Sequence, residues 1–236
     1  MKLSEIASEV SRIIDASAQL PRMPRAHLQF HAKLHREHIH ATHRIFTKPH
    51  PRYRLIKNKT VGIALIDLRR FKTPEDYLDT VKKKDFGAYH ARKAKMRGYK
   101  VRTIDRNCFI DDIHEIHTSA ETRQGRPMDD FYRIKETSFQ DYPHFGYFGI
   151  LDKREKLMGY CTLATLGNFA ATERVIGHKN GDSFMYLLLT EIICSLIEEK
   201  TVSFLMYDTY LGAQPGLRNF KRKLGFSPYL ARYSVE

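Results

Sequence analysis

The stretch Leu217-Arg218-Asn219-Phe220-Lys221-Arg222-Lys223-Leu224-Gly225-Phe226 decides how the chain is read. It is the body of a basic helix expected over residues 216–224, closed by a Gly-Phe turn, with a final strand expected over 229–235. Upstream of it a buried strand is expected over 202–207, and before that a long apolar helix over 183–198. Three strands precede the helix, at 145–151, 157–163 and 169–176. The first two are joined by the polar turn Asp152-Lys153-Arg154-Glu155, so a meander is expected. Further back lie a short helix at 129–139, a helix at 110–122 and an alternating strand at 99–104.

The region before residue 98 reads differently. Residues 61–66 form a β-branched run suited to a buried strand. Thr73-Pro74-Glu75-Asp76 opens a helix with a cap residue, a first-turn proline and two acids at the positive end of the dipole. A second helix, 86–97, carries Arg92, Lys93, Lys95 and Arg97 and stops at Gly98. At the N-terminus, Leu3, Ile6, Val10, Ile13 and Ile14 have helical spacing up to Pro21. The segment that follows holds His27, His31, His35, His38, His40, His43 and His50. If helical, it would bring His27, His31 and His35 onto one face, a spacing that can ligate zinc or copper. Glu37 is the only acid nearby, so a basic surface is the preferred reading and no metal is expected.

Composition bounds the class. The 236 residues suffice for one large domain or for a catalytic domain with an N-terminal addition, and 42% hydrophobic with 11% aromatic residues fit a globular chain. No apolar run reaches the roughly 18 residues of a membrane span. The N-terminus, with Glu5, Glu9 and Asp15, lacks the order of a secretory signal. Cys108, Cys161 and Cys194 have neither even number nor CxxC spacing, which points to a reducing cytoplasm. The net charge of +13 is concentrated. Ten Lys/Arg face one acid between Arg22 and Lys59, and ten face Asp85 and Asp105 between Lys82 and Arg106. Such a field draws polyanions.

The order of elements after residue 97, together with the ending quoted above, is similar to the GNAT acyltransferase fold. The resemblance covers roughly residues 98–236. Phe220-Lys221 resembles the Phe-Lys pair of the Fem branch, where common GNAT enzymes have Phe-Tyr. Ala91-Arg92-Lys93-Ala94-Lys95-Met96-Arg97-Gly98-Tyr99-Lys100-Val101, followed by Thr122-Arg123-Gln124-Gly125, follows a motif order similar to that branch. Fem enzymes carry two GNAT-like halves, whereas this chain has room for a reduced first half. The expected class is α/β (α+β): a GNAT-like mixed, mainly antiparallel sheet flanked by helices, with a helical, basic N-terminal extension. The expected divisions are 1–58 for that extension, 59–97 for a Fem-like first-half remnant and 98–236 for the acyltransferase domain.

What the resemblance implies is transfer of an acyl group from coenzyme A, an acyl-carrier protein or, less readily, an aminoacyl-tRNA to an amine acceptor. Splayed strands would offer backbone N–H groups to the carbonyl. Gly177-His178-Lys179-Asn180-Gly181-Asp182-Ser183 stands where GNAT domains bind a pyrophosphate, without their usual spelling, and an ordinary capped helix start is the competing reading. Glu173 is a candidate general base, against an outward-facing surface acid. Lys221 either stabilises an oxyanion or phosphate or lies on a solvated helix face. Tyr207 and Tyr210 are candidate proton donors to the leaving group, or packing residues. Arg123 and Arg126 are candidate clamps for a substrate carboxylate or phosphate, and Asp208 a candidate substrate contact. The rival class is a catalytically silent GNAT-like module that binds RNA or an anionic membrane surface through its basic N-terminal half.

Overall fold

The computed structural model describes residues 20–51, 56–123, 126–179 and 183–236; for Arg126 only the backbone is described. The helix expected over 3–18 lies outside the described residues, as do Gln124, Gly125, Asn180, Gly181 and Asp182.

Eight strands form one mixed sheet: β1 (Arg25–Phe30), β2 (Val61–Asp67), β3 (Lys100–Thr103), β4 (Phe145–Leu151), β5 (Leu157–Thr165), β6 (Phe169–Gly177), β7 (Phe204–Thr209) and β8 (Ser227–Val235). Their spatial order is β1-β8-β2-β7-β6-β5-β4-β3. The β1–β8 and β6–β7 pairs are parallel and the rest antiparallel. The helices are α1 (Arg36–Thr47), α2 (Pro74–Thr80), α3 (Gly87–Met96), α4 (Ile110–Thr118), α5 (Phe184–Glu199) and α6 (Pro215–Lys223).

Alternation along each strand builds two cores. Ala64, Ile66, Cys161, Leu163, Ala170 and Leu205 face α5 and the α2–α3 pair. Ile63, Leu65, Phe169, Ala171, Phe204 and Met206 face the other way, onto the side covered by α1, and Tyr160 and Ile176 meet α4 on that side. Helix α5 is the anchor: Phe184, Leu188, Leu189 and Ile193 have no exposed surface. Each such side chain contributes about 1.5–3 kcal/mol through burial. Gly159 and Gly177 let its first turn approach the sheet, since a Cβ at either would stand 2.7 Å from the Met185 sulfur. Thr73 caps α2 as expected, and with Asp76 it forms a capping box.

The following expectations are corrected. The N-terminal extension is not simply helical, because Arg25–Phe30 is a strand whose Ala26, Leu28 and Phe30 enter the core. The shared helical face for His27, His31 and His35 disappears with it: His27 is on β1, and His35 is the N-cap of α1. Strands from all three expected divisions share one sheet, in which β2 lies between β7 and β8 and is buried on both faces. The helix expected at 129–139 is a single 3-10 turn, Asp130–Arg133. Across the sheet, Gln29 O accepts from Asn168 N (3.0 Å), and Gly167 has φ +152° with room for no side chain, as a Cβ would lie 2.0 Å from that oxygen.

Candidate active site

The parallel ladder between β6 and β7 is short. It joins Phe169 to Phe204, Ala170 to Leu205 and Ala171 to Met206, then stops, although β6 continues to Gly177 and β7 to Thr209. Two irregularities part the strands. On β6, Thr172 pairs with Leu163 and Arg174 with Thr162, so Glu173 is an extra, bulged residue. On β7, the register against β2 shifts between Met206 and Thr209, and Asp208 has left-handed φ 50°.

The gap is a cleft of about 480 Å³. Its walls are residues 171–176 of β6 and 206–208 of β7, with Phe46 of α1, Lys59 before β2, Arg123, Tyr132, and Leu217 and Lys221 of α6. Beyond Ala171 the β7-facing backbone groups of β6 have no strand partner among the described residues. The Thr172 hydroxyl on this wall is buried and likewise has no hydrogen-bond partner among them.

Of the four side chains expected to carry chemistry, Glu173, Tyr207 and Lys221 line the cleft and Tyr210 does not. Glu173 is exposed to it and has no ion-pair partner among the described residues. The solvated-face reading of Lys221 is corrected, since the side chain is wholly buried. Its Nζ donates to Tyr207 O (2.6 Å) and Thr209 O (2.7 Å) and sits 4.4 Å from the Tyr207 ring centre. Burial first, and then Lys59, lower its pKa to about 7. Lysine 221 thus holds the bulged end of β7. The Tyr207 ring packs against Phe226 and Phe220, and burial raises its pKa. The Tyr210 N–H donates to Gly62 O (2.7 Å), beside the sheet.

Arg123 is spent on the fold. Its guanidinium donates to Gly177 O (2.7 Å), Ile116 O (2.7 Å) and Ser119 Oγ (3.1 Å), tying β6 to the end of α4. Arg126 lies in a two-residue strand, Arg126–Pro127, paired with Thr122–Arg123. Asp208 pairs with Lys59, a cleft lysine that sequence reasoning missed because it sits unmarked in a basic run. In the loop after β6, His178 N donates to Met158 O (2.8 Å) and Lys179 N to Ser119 Oγ (3.1 Å). These two N–H groups are therefore engaged by the protein, and the pyrophosphate cradle expected over 177–183 draws no support from them. Ser183 has φ 64° and makes no side-chain cap to α5.

Histidines brace the surroundings. His144 Nε2 meets His38 Nδ1 (2.9 Å), with the His35 ring alongside, fixing α1 to the start of β4. His117 Nε2 meets the Tyr160 hydroxyl (2.7 Å) behind the cleft, near Arg174 and Arg123. Burial, then neighbouring cations or histidines, lowers both pKa values from 6.5 to about 4. A depressed histidine pKa means the folded chain binds fewer protons than the unfolded chain between those values. Stability is then full above about pH 6.5 and falls as pH drops toward 4, by on the order of 3 kcal/mol per residue. Unfolding midpoints measured from pH 7 to 4 should show this acid limb, and His144→Asn should make it shallower. An unchanged limb in the variant would rule His144 out as a source.

Among the described residues no cluster of three or more His, Cys, Asp or Glu side chains could hold a metal ion, and no helix is long and apolar enough to cross a membrane. No family model and no curated protein matches the chain. Solved structures do. FemX aligns over 71% of this chain and 59% of its own, at 10% identity and a TM-score of 0.51. L-PGS from Bacillus licheniformis aligns over 72% and 59%, at 11% identity and a TM-score of 0.48. A tandem GNAT protein from the clavulanic acid biosynthesis pathway aligns over 72% and 50%, at 18% identity and a TM-score of 0.45. The chain spans less than two thirds of the length of each. The likeness to FemX shows the fold, a GNAT/Fem-like one.

Proposed function

We propose that this chain, a GNAT/Fem-like fold with its β6–β7 ladder parted, is an N-acyltransferase that moves an acyl group from a thioester donor to a primary amine within that cleft. The observation that carries the reading is the interruption after Ala171 and Met206, which leaves strand-edge N–H groups facing an open cleft. A tetrahedral oxyanion needs donors already in place. The unpaired edge of β6 and the Thr172 hydroxyl are such donors. Glu173, bulged into the cleft, takes the ammonium proton directly or through water. The amine attacks the carbonyl carbon, the tetrahedral species collapses, and the thiolate leaves and is protonated by solvent.

The donor's carrier is a separate question. Lys82, Lys83, Lys84, Arg92, Lys93 and Lys95 are exposed on and before α3, a surface suited to a polyanionic thioester carrier such as an acidic acyl-carrier protein. Coenzyme A would use the cleft for its thioester arm. Thiol release from acetyl-coenzyme A and from an acylated carrier protein, measured with and without an added alkylamine, tests the function. Amine-dependent release is expected from at least one donor. Polyanion binding that is lost steeply with salt, with no release from either donor, would favour a non-catalytic binding module.

A further inference from the structure

We propose that Lys59 is itself an acyl acceptor: it takes the acyl group from the donor in the β6–β7 cleft and carries it as an amide. This rests on reading the cleft as the acyl-transfer site. The side chain lies on the cleft wall with Thr172 and Glu173, keeps 22% of its surface exposed, and meets the Asp208 carboxylate at the mouth. Its backbone is held at both polar groups, the N–H donating to Phe46 O (2.9 Å) and the carbonyl accepting from the Tyr233 hydroxyl. The amine is thus presented from a fixed stem rather than from a mobile surface loop.

The neighbourhood favours nucleophilic chemistry. Desolvation lowers the pKa of Lys59, which enlarges the neutral fraction that can attack. Asp208, held in the left-handed region and half exposed, is placed to receive the proton. Lys221, the other cleft lysine, is unsuitable, because it is wholly buried and its Nζ is engaged by two carbonyls. In the step, the Lys59 nitrogen lone pair forms a bond to the thioester carbonyl carbon. The C–S bond breaks and its electron pair leaves on sulfur. Before attack the Lys59 ammonium gives one proton to Asp208, which passes it to solvent; the second nitrogen proton, lost from the tetrahedral species, goes to the thiolate. The products are acyl-lysine and a thiol, and the ion pair with Asp208 is lost.

The test uses the full chain at about pH 8 with acetyl-coenzyme A and, in parallel, with an acetylated carrier protein. Acetylation is quantified at every lysine by peptide mass spectrometry, natively and in urea, with thiol release to added spermidine followed in parallel. Lys59 should react at least about tenfold faster than the median exposed lysine in the native chain. That preference should vanish in urea and fall about tenfold in Asp208→Asn. Release to spermidine with Lys59 unmodified would overturn self-acylation and leave the cleft reading standing. Neither release nor modification would overturn both.

Discussion

Replacing Lys221 by alanine is expected to cost about 3 kcal/mol of stability near pH 7.5 and more near pH 9.5. The substitution removes a buried four-carbon stem and strips the Tyr207 and Thr209 carbonyls of their donor. Each orphaned carbonyl costs about 1–3 kcal/mol and the cavity a similar amount. An opposing effect decides the pH dependence. With its pKa lowered to about 7, the buried lysine must shed a proton that the unfolded chain keeps up to its ordinary value of 10.5. Holding it therefore carries a protonation cost that shrinks as pH rises across that window. Alanine removes the cost, so the offset is largest near neutrality and small near pH 10. Denaturant midpoints of both proteins at two pH values measure it. A variant as stable as the parent at both would mean that the Lys221 amine does not hold the end of β7.

Glu173→Gln should leave melting unchanged and reduce amine-dependent transfer by about 10²- to 10⁴-fold. Glu173 is exposed and has no ion-pair partner among the described residues. Substitutions at such positions change stability by within about 0.5 kcal/mol. The glutamine keeps the bulge and the volume and loses only the proton acceptor, so donor affinity should hold. Raising the pH should recover part of the rate by supplying neutral amine. Full turnover in the variant would remove Glu173 from the mechanism, and a fall in melting temperature instead would assign it to the fold.

The C-terminal architecture was readable because its signals are local. The meander and the long helix announce themselves by apolar pattern and turn residues, and their observed bounds, Phe145–Leu151 and Phe184–Glu199 among them, lie close to those expected. Partners in the sheet were not readable. The run Val61–Ile66 declares a strand buried on both faces, but nothing in it specifies neighbours more than 130 residues away. In β1 the alternation Ala26, Leu28, Phe30 was present and was masked by the histidines around it. The site divides in the same way. Glu173 could be placed on its strand and Asp208 at a strand end, but the bulge of one and the left-handed turn of the other depend on register against other strands. The burial of Lys221 defeats composition-based reasoning, since lysine is rarely buried and its partners are backbone carbonyls, which leave no mark in a sequence. Arg123 misled for the converse reason: its side chain suits an anion, and the fold uses it for Gly177 O and Ile116 O.

The most direct test of the parted strands as the place of acyl transfer is a crystal structure with a non-hydrolysable thioester analogue of the donor that supports turnover. The analogue's carbonyl oxygen is expected between β6 and β7, within hydrogen-bond distance of a backbone N–H in the stretch Thr172–Arg174, with Glu173 on the side left open to the amine. A carbonyl bound elsewhere, with β6 and β7 as they are now, would contradict it.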